Sequence, residues 1–227
     1  MNTGHLGVYG ITRSGKSHWV KNQLLPSCSR VLVLDVNSEY SQHSRTPGPL
    51  RDRGTTANLV QCPAKLLEPN LSLAIEPTKP MPKYEANLLE LISRLLIRAS
   101  QEDHARSLPQ LTLVLDECGD YAPHCHEQLA SLATRGATHL NVRLVVVAQR
   151  PNLVPATVRG NLEELVVFKL VEPLDRKAVA ERADKVFSER VSRQPLRKHL
   201  VWRATGPTET TDAPALPASV AQEQVAS

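Results

Sequence analysis

Gly10-Ile-Thr-Arg-Ser-Gly15-Lys16-Ser17 decides the fold. It matches G-x-x-x-x-G-K-[ST] in full and lies between an apolar strand candidate, His5 to Gly10, and a short helix candidate, Ser17 to Leu25, that Pro26 stops. In that setting the glycines let backbone amides turn inward around a phosphate, and the helix N-terminus adds its partial positive charge. Lys16 is expected to reach the β- and γ-phosphates of a nucleoside triphosphate, and the Ser17 hydroxyl to hold Mg2+. The expected cradle is Gly10, Ile11, Thr12, Arg13, Ser14, Gly15, Lys16, Ser17 and His18, with ATP and Mg2+ as its ligands.

Outward from this loop, short apolar runs alternate with helical stretches. Val31 to Asp35, Leu111 to Leu115 and Val142 to Ala148 are nearly unbroken apolar runs of buried-strand type. Weaker strands are expected near Leu59 to Cys62 and Leu71 to Ile75, with further ones at Leu165 to Leu170 and His199 to Arg203. Leu88, Leu91, Ile92, Leu95, Leu96 and Ala99 recur at helical spacing, Glu127 to Arg135 is a second helix candidate, and Asp175 to Val191 reads as one charged amphipathic helix. Ser41 to Thr56, rich in Ser, Pro, Gly and Arg, reads as a long exposed loop. The pattern predicts an α/β fold, a P-loop NTPase whose mostly parallel central sheet is flanked by helices on both faces. One motor-sized domain takes residues 1–204, and the Pro/Thr/Ala-rich stretch 205–227 is expected to be a disordered acidic tail.

Two further strand ends carry candidate chemistry. Leu111-Thr-Leu-Val-Leu delivers Asp116 and Glu117 at its C-terminal end, where open α/β sheets bind their ligands. Asp116 is placed to stand behind a metal's water shell and Glu117 to polarise an attacking water, an arrangement that favours hydrolysis over transfer to a hydroxyl. Leu144-Val-Val-Val-Ala148 ends in Gln149-Arg150-Pro151, which sets a polar amide where it can contact a γ-phosphate or that water.

Composition sets the limits. Of 227 residues, 41% are hydrophobic, enough for a core, and the net charge is +4 with pI about 9.0. Residues 205–227 hold three acids and no Lys or Arg, so the body carries +7, and Arg176 to Arg203 hold nine basic against three acidic residues. Such an excess suits a polyanion or a solvated helix face. Aromatics are only 4%, which leaves few stacking platforms and points any nucleic-acid contact to the phosphate backbone. No apolar run approaches the ~18 residues of a membrane span, and MNTGHLGVYG lacks a signal-peptide layout, so a cytosolic protein is expected. The four cysteines show no CxxC spacing, which suits a reducing compartment, and adjacent His124-Cys125-His126 point in different directions and make a poor zinc site.

Together the motifs resemble the FtsK/HerA superfamily of ring-forming P-loop ATPases that move DNA. The resemblance rests on GITRSGKS, on LDVNSEY with Asp35, Glu39 and Tyr40, on LVLDE, and on LATRGATHLNVRLVVVAQRP around Gln149; it spans residues 5–185. It implies a RecA/FtsK-like motor domain. Because the phosphate-binding strand begins at His5, the chain looks like the genome-packaging ATPases of tailless, membrane-containing icosahedral viruses of the tectivirus type. In such motors a neighbouring subunit supplies an arginine; Arg135 is the first choice here, with Arg143, Arg150 and Arg159 as alternatives. The resemblance further implies double-stranded DNA as partner and a homo-oligomeric ring of five or six subunits. It also implies capsid or portal-vertex proteins, contact with a viral inner membrane through other proteins, and residence in the host cytoplasm or at the packaging vertex of the virion. DNA contacts are expected from the loop bearing Arg45, Arg51 and Arg53 and from Arg182, Lys185 and Arg193. The alternatives are a DNA-repair or plasmid-mobilisation translocase or helicase of the same superfamily, and a non-motor assembly protein switched by nucleotide.

Overall fold

The computed structural model describes residues 4–40, 52–55, 63–76, 81–102, 105–205 and 209–211, with backbone alone at 52–55, 63, 106 and 209–211. Among the described residues nine strands form one sheet, in the order β3-β4-β2-β5-β6-β1-β7-β8-β9. They are β1 (His5–Tyr9), β2 (Arg30–Leu34), β3 (Asp52–Thr55), β4 (Ser72–Glu76), β5 (Leu111–Leu115), β6 (Val142–Ala148), β7 (Leu162–Phe168), β8 (His199–Arg203) and β9 (Glu209–Thr211). The first seven in spatial order run parallel, while β8 and β9 join antiparallel at the far edge.

Every residue of β1, β2, β5 and β6 is buried, which is why these strands read as largely apolar runs, interrupted only by His5, Arg30, Thr112 and Arg143. One face packs on α2 (Pro82–Ala99), α3 (Cys118–Tyr121), α4 (His126–His139), α5 (Ala156–Gly160), α6 (Pro173–Arg182) and α7 (Lys185–Arg193), through residues such as Leu89, Ile92, Leu129, Val158, Val179 and Phe187. Among the described residues the other face is covered more thinly. There α1 (Lys16–Trp19) and the turns that follow it to Ser27 set Val20, Leu24 and Leu25 against Leu6, Val8, Val33, Val114 and Val147, with Tyr40 beside them. Arg30 ties the sheet's lower loops together, donating to Glu68 O at 3.0 Å, to Pro109 O at 2.7 Å and to Leu66 O. No helix of the described residues is long and apolar enough to cross a membrane.

Several sequence expectations shift. The stretch read as a loop from Ser41 to Thr56 contains β3, which pairs in parallel with β4. The helix expected over Asp175 to Val191 is two helices: Ala183 leaves helical geometry, and Asp184 starts α7 by accepting Phe187 N–H on its carboxylate at 2.7 Å. The strand expected at Leu165 begins three residues earlier, at Leu162. Beyond Arg203 the sheet gains β9, formed by the start of the acidic segment, while 206–208 and 212–227 lie outside the described residues, as does the expected strand at 59–62.

Candidate functional site

Three neighbouring parallel strands, β5, β6 and β1, end at the same edge, and the chain leaving each of them brings one part of the site. Strands lie ~4.8 Å apart, so Gln149 stands one strand from the phosphate loop and Asp116 two strands away, about 10 Å, which leaves room for a phosphate and a hydrated cation between them.

The loop after β1 is shaped by its glycines. Gly15 has φ 106°, a left-handed conformation that a side chain would strain, and a Cβ at Gly10 would stand 2.6 Å from Phe168 Cβ and 2.7 Å from Ser14 Oγ. Lys16 is buried and turned back into its own loop, where Nζ donates to Gly10 O at 2.8 Å and Ile11 O at 3.3 Å. Burial pushes its ammonium pKa down, opposed by the charges of Glu117, Asp116 and Glu39. Thr12 and Arg13 are exposed at the tip, Arg13 at φ 60°.

Opposite the loop, Asp116 is 1% exposed, and neither carboxylate oxygen has a hydrogen-bond partner among the described residues. Burial holds its pKa well above the usual carboxylate range, reinforced by Glu117, Glu39 and Asp35 and opposed by Lys16. Glu117 sits at φ 46°, ψ 38°, a left-handed backbone at the point where β5 turns into α3; non-glycine residues held this way cost about 1–3 kcal/mol and cluster at functional sites. The turn aims its carboxylate at Gln149, whose Nε2 donates to Glu117 Oε1 at 2.8 Å. The Thr12 hydroxyl in turn donates to Gln149 Oε1.

Asp35, Glu39 and Tyr40, which sequence reasoning used only for the resemblance, also belong here. Asp35 is fully buried after β2, and its two oxygens accept Glu39 N–H at 2.9 Å and Tyr40 N–H at 3.0 Å, closing a turn that returns the chain to the site. Lys21 of the turn after α1 donates to Glu39 O at 3.1 Å and lies 5.7 Å from the Tyr40 ring centroid. A carboxylate followed four and five residues later by an acid and a tyrosine was the available signal.

The arginines separate. Arg135 is exposed on α4, beside Gly136, which packs against His5 at the start of β1, the end of the sheet remote from the phosphate loop. Arg143 is buried, donating to Gly4 O at 2.9 Å and paired with Glu164 at 3.5 Å. Arg159 is held by the Val154 and Pro151 carbonyls and by Glu181 at 2.8 Å. Arg150 is about half exposed and pairs with buried Asp175 at 2.8 Å. Of the basic helix positions, Arg182 is tied down, donating to Leu162 O at 2.6 Å with its guanidinium 4.7 Å from the Trp202 ring centroid, whereas Lys185 and Arg193 are exposed. Arg45 and Arg51 and the side chain of Arg53 lie outside the described residues.

These residues fit a magnesium ion. Among the described residues no three His, Cys, Asp or Glu side chains converge as a cage, but Asp116 offers two buried, unpartnered oxygens facing the loop that carries Ser17. A hard cation with one or two protein ligands and a shell of water and phosphate oxygen suits that arrangement.

No family model and no curated protein matches the sequence. Solved structures do. The genome packaging NTPase B204 from Sulfolobus turreted icosahedral virus 2, in complex with sulfate, superposes with TM-score 0.66 at 16% identity, covering 95% of this chain and 99% of that one. B204 from Sulfolobus turreted icosahedral virus, a DNA-packaging ATPase, gives 0.60 at 18% identity over 89% and 94%. The cytoplasmic domain of the Thermomonospora curvata type VII secretion ATPase EccC gives 0.59 at 17% identity, over 90% of this chain and 24% of that one. The chain shares the α/β fold of these ATPases, and its likeness to viral packaging ATPases, read from motifs, extends to the fold in three dimensions.

Proposed function

We propose that the protein hydrolyses ATP with Mg2+ and uses the turnover, as a homo-oligomeric ring, to drive double-stranded DNA into a preformed viral capsid. The observation that carries the hydrolytic part is the pairing of an unpartnered, buried Asp116 with a Glu117 aimed at the phosphate loop through Gln149. Lys16 leaves the Gly10 and Ile11 carbonyls to neutralise the β- and γ-phosphates, while the loop amides orient them. Ser17 and Asp116 would hold the ion, which would supply charge neutralisation when bound. Glu117 accepts a proton from the attacking water, and Gln149 orients that water.

The packaging part is supported by a match that runs nearly end to end in both chains with a genome packaging NTPase. Arg135, exposed and remote from its own phosphate loop, suits a residue donated to a neighbouring subunit; Arg143 and Arg159 are already committed within the fold. The ring would meet DNA phosphates through Lys185 and Arg193 and dock on capsid or portal-vertex proteins, in the host cytoplasm or at the virion's packaging vertex, next to any inner membrane.

The test is ATPase activity with and without double-stranded DNA, together with ATP-dependent displacement of a triplex-forming strand along the duplex. Stimulation with displacement is expected. Separation of the duplex strands would instead favour a repair or mobilisation helicase, a reading that the same fold in the pCW3 conjugation coupling protein TcpA keeps in view. Slow turnover indifferent to DNA would favour a nucleotide-switched assembly protein.

A further inference from the structure

Two hydrogen bonds cross the site in series. The Thr12 hydroxyl donates to Gln149 Oε1, and Gln149 Nε2 donates to Glu117 Oε1 at 2.8 Å. They link a phosphate-loop residue to the candidate base across two strand gaps, through a glutamine 137 positions from Thr12 and 32 from Glu117. The chemistry of the groups fixes the direction of both bonds. An ionised carboxylate only accepts, so the amide must present its N–H2 end to Glu117, which leaves the carbonyl end facing the loop and in need of a donor. Thr12 supplies that donor. The motif G-x-x-x-x-G-K-[ST] does not require it, since Thr12 occupies one of its free positions.

We infer that Thr12 is a positioning residue for hydrolysis: its hydroxyl anchors the carbonyl end of the Gln149 amide, and the anchored amide holds the Glu117 carboxylate, so the phosphate loop itself aligns the base. The geometry at the far end adds to the need. Glu117 lies at a left-handed turn and makes no side-chain cap to α3, so its carboxylate is free of that helix and Gln149 is what holds it. Without a donor at position 12 the amide carbonyl loses its partner on the loop, and Gln149 and Glu117, still bonded to each other, are no longer tethered to the phosphate loop. The effect belongs to the chemical step and not to phosphate binding, because the loop's amides and Lys16 are untouched.

This inference rests on the ATPase reading, and the experiment separates the two. Thr12→Val keeps the shape of the side chain and removes the hydroxyl; Thr12→Ser keeps the hydroxyl. In steady-state ATP hydrolysis, Thr12→Val is expected to lower kcat about tenfold with KM within threefold of wild type, and Thr12→Ser to restore kcat to within twofold. Gln149→Ala should lower kcat by itself, and adding Thr12→Val to it should cost nothing more, since the relay is already cut. Gln149→Glu, which has no N–H to offer Glu117, should lose kcat comparably while still binding a fluorescent ADP analogue. If Thr12→Val does not fold, Thr12→Ala read against Thr12→Ser tests the same link. An unchanged kcat in Thr12→Val, a loss confined to KM, or multiplying effects in the double variant would overturn the relay. A wild-type protein that binds ATP and never hydrolyses it would overturn the ATPase reading instead.

Discussion

Arg150 Nε donates to Asp175 Oδ2 at 2.8 Å, and the other oxygen of Asp175 accepts the Asn152 N–H at 3.2 Å. A carboxylate at the start of α6 thereby holds both residues that flank Pro151, directly after Gln149. Asp175 is only 2% exposed although its arginine is half in solvent, so the pair is strong at one end and adaptable at the other.

Asp175→Ala should therefore act on both stability and turnover. Losing a charge-assisted bond and a bond to backbone N–H costs about 2–3 kcal/mol, and a chain of this size drops roughly 2–4 °C in Tm per kcal/mol. Thermal unfolding measures the first effect. The second is a fall in kcat larger than any change in KM, because the strand end that carries Gln149 loses its anchor.

Glu117→Gln should bind ATP at least as well as wild type and turn it over at least a hundredfold more slowly, since an amide cannot take the water's proton. Equilibrium binding of a fluorescent ATP analogue beside steady-state hydrolysis is the check. Turnover near the wild-type rate would remove Glu117 from the role of base.

Asp116→Asn should stabilise the nucleotide-free protein while abolishing hydrolysis. Burial raises the folded-state pKa of Asp116, so the folded protein prefers the carboxyl protonated, and the ionised form costs stability once the pH exceeds the unfolded value. An amide avoids that cost. The variant should gain on the order of 1–2 kcal/mol near pH 7.5 in chemical denaturation, a size typical of single stabilising substitutions at strained functional sites. The gain should shrink below pH ~4, where the aspartate is protonated in both states.

Acid should destabilise the protein through its buried histidines. Burial lowers the pKa of His5, outweighing a backbone hydrogen bond with Ala133 and the nearby Glu163, and the ring takes the Leu144 N–H on Nδ1 at 3.0 Å, which requires it to be neutral. His199 is lowered by burial as well. The unfolded chain binds protons below pH ~6.5 that the folded chain does not, so stability is complete above that value and is lost as the pH falls toward the folded pKa. Tm should decline between pH 7 and 5, and His5→Gln, whose side-chain oxygen can accept the same N–H, should flatten the decline. A Tm that does not change over that range would contradict the assignment.

Much of this was legible because buried parallel strands leave a plain trace. β1, β5 and β6 are apolar at nearly every buried position, with His5, Thr112 and Arg143 the exceptions, so their ends, and with them Lys16, Asp116, Glu117 and Gln149, could be placed from the sequence. β3 left no such trace: Asp52-Arg-Gly-Thr55 is an edge strand, held by backbone bonds to β4 on one side, and such strands carry charge without an apolar pattern. The break before α7 turns on one capping bond from Asp184, a residue equally at home on a helix surface. The Thr12–Gln149–Glu117 link joins residues that only the strand order β5-β6-β1 makes neighbours, and no local spacing encodes it.

That strand order also has a mechanical meaning. β5, β6 and β1 are cross-linked by unbroken parallel ladders and are inaccessible to solvent on both faces, so they behave as one stiff plate. The groups that would meet a nucleotide all grow from the rim of that plate and cannot drift apart one at a time. Three attachments lead off that rim: the exposed tip at Thr12 and Arg13, the turn closed by Asp35, and the α6 start tied to Arg150. On the proposed motor reading, any stroke would have to leave the plate through these three attachments while the plate itself serves as the anvil.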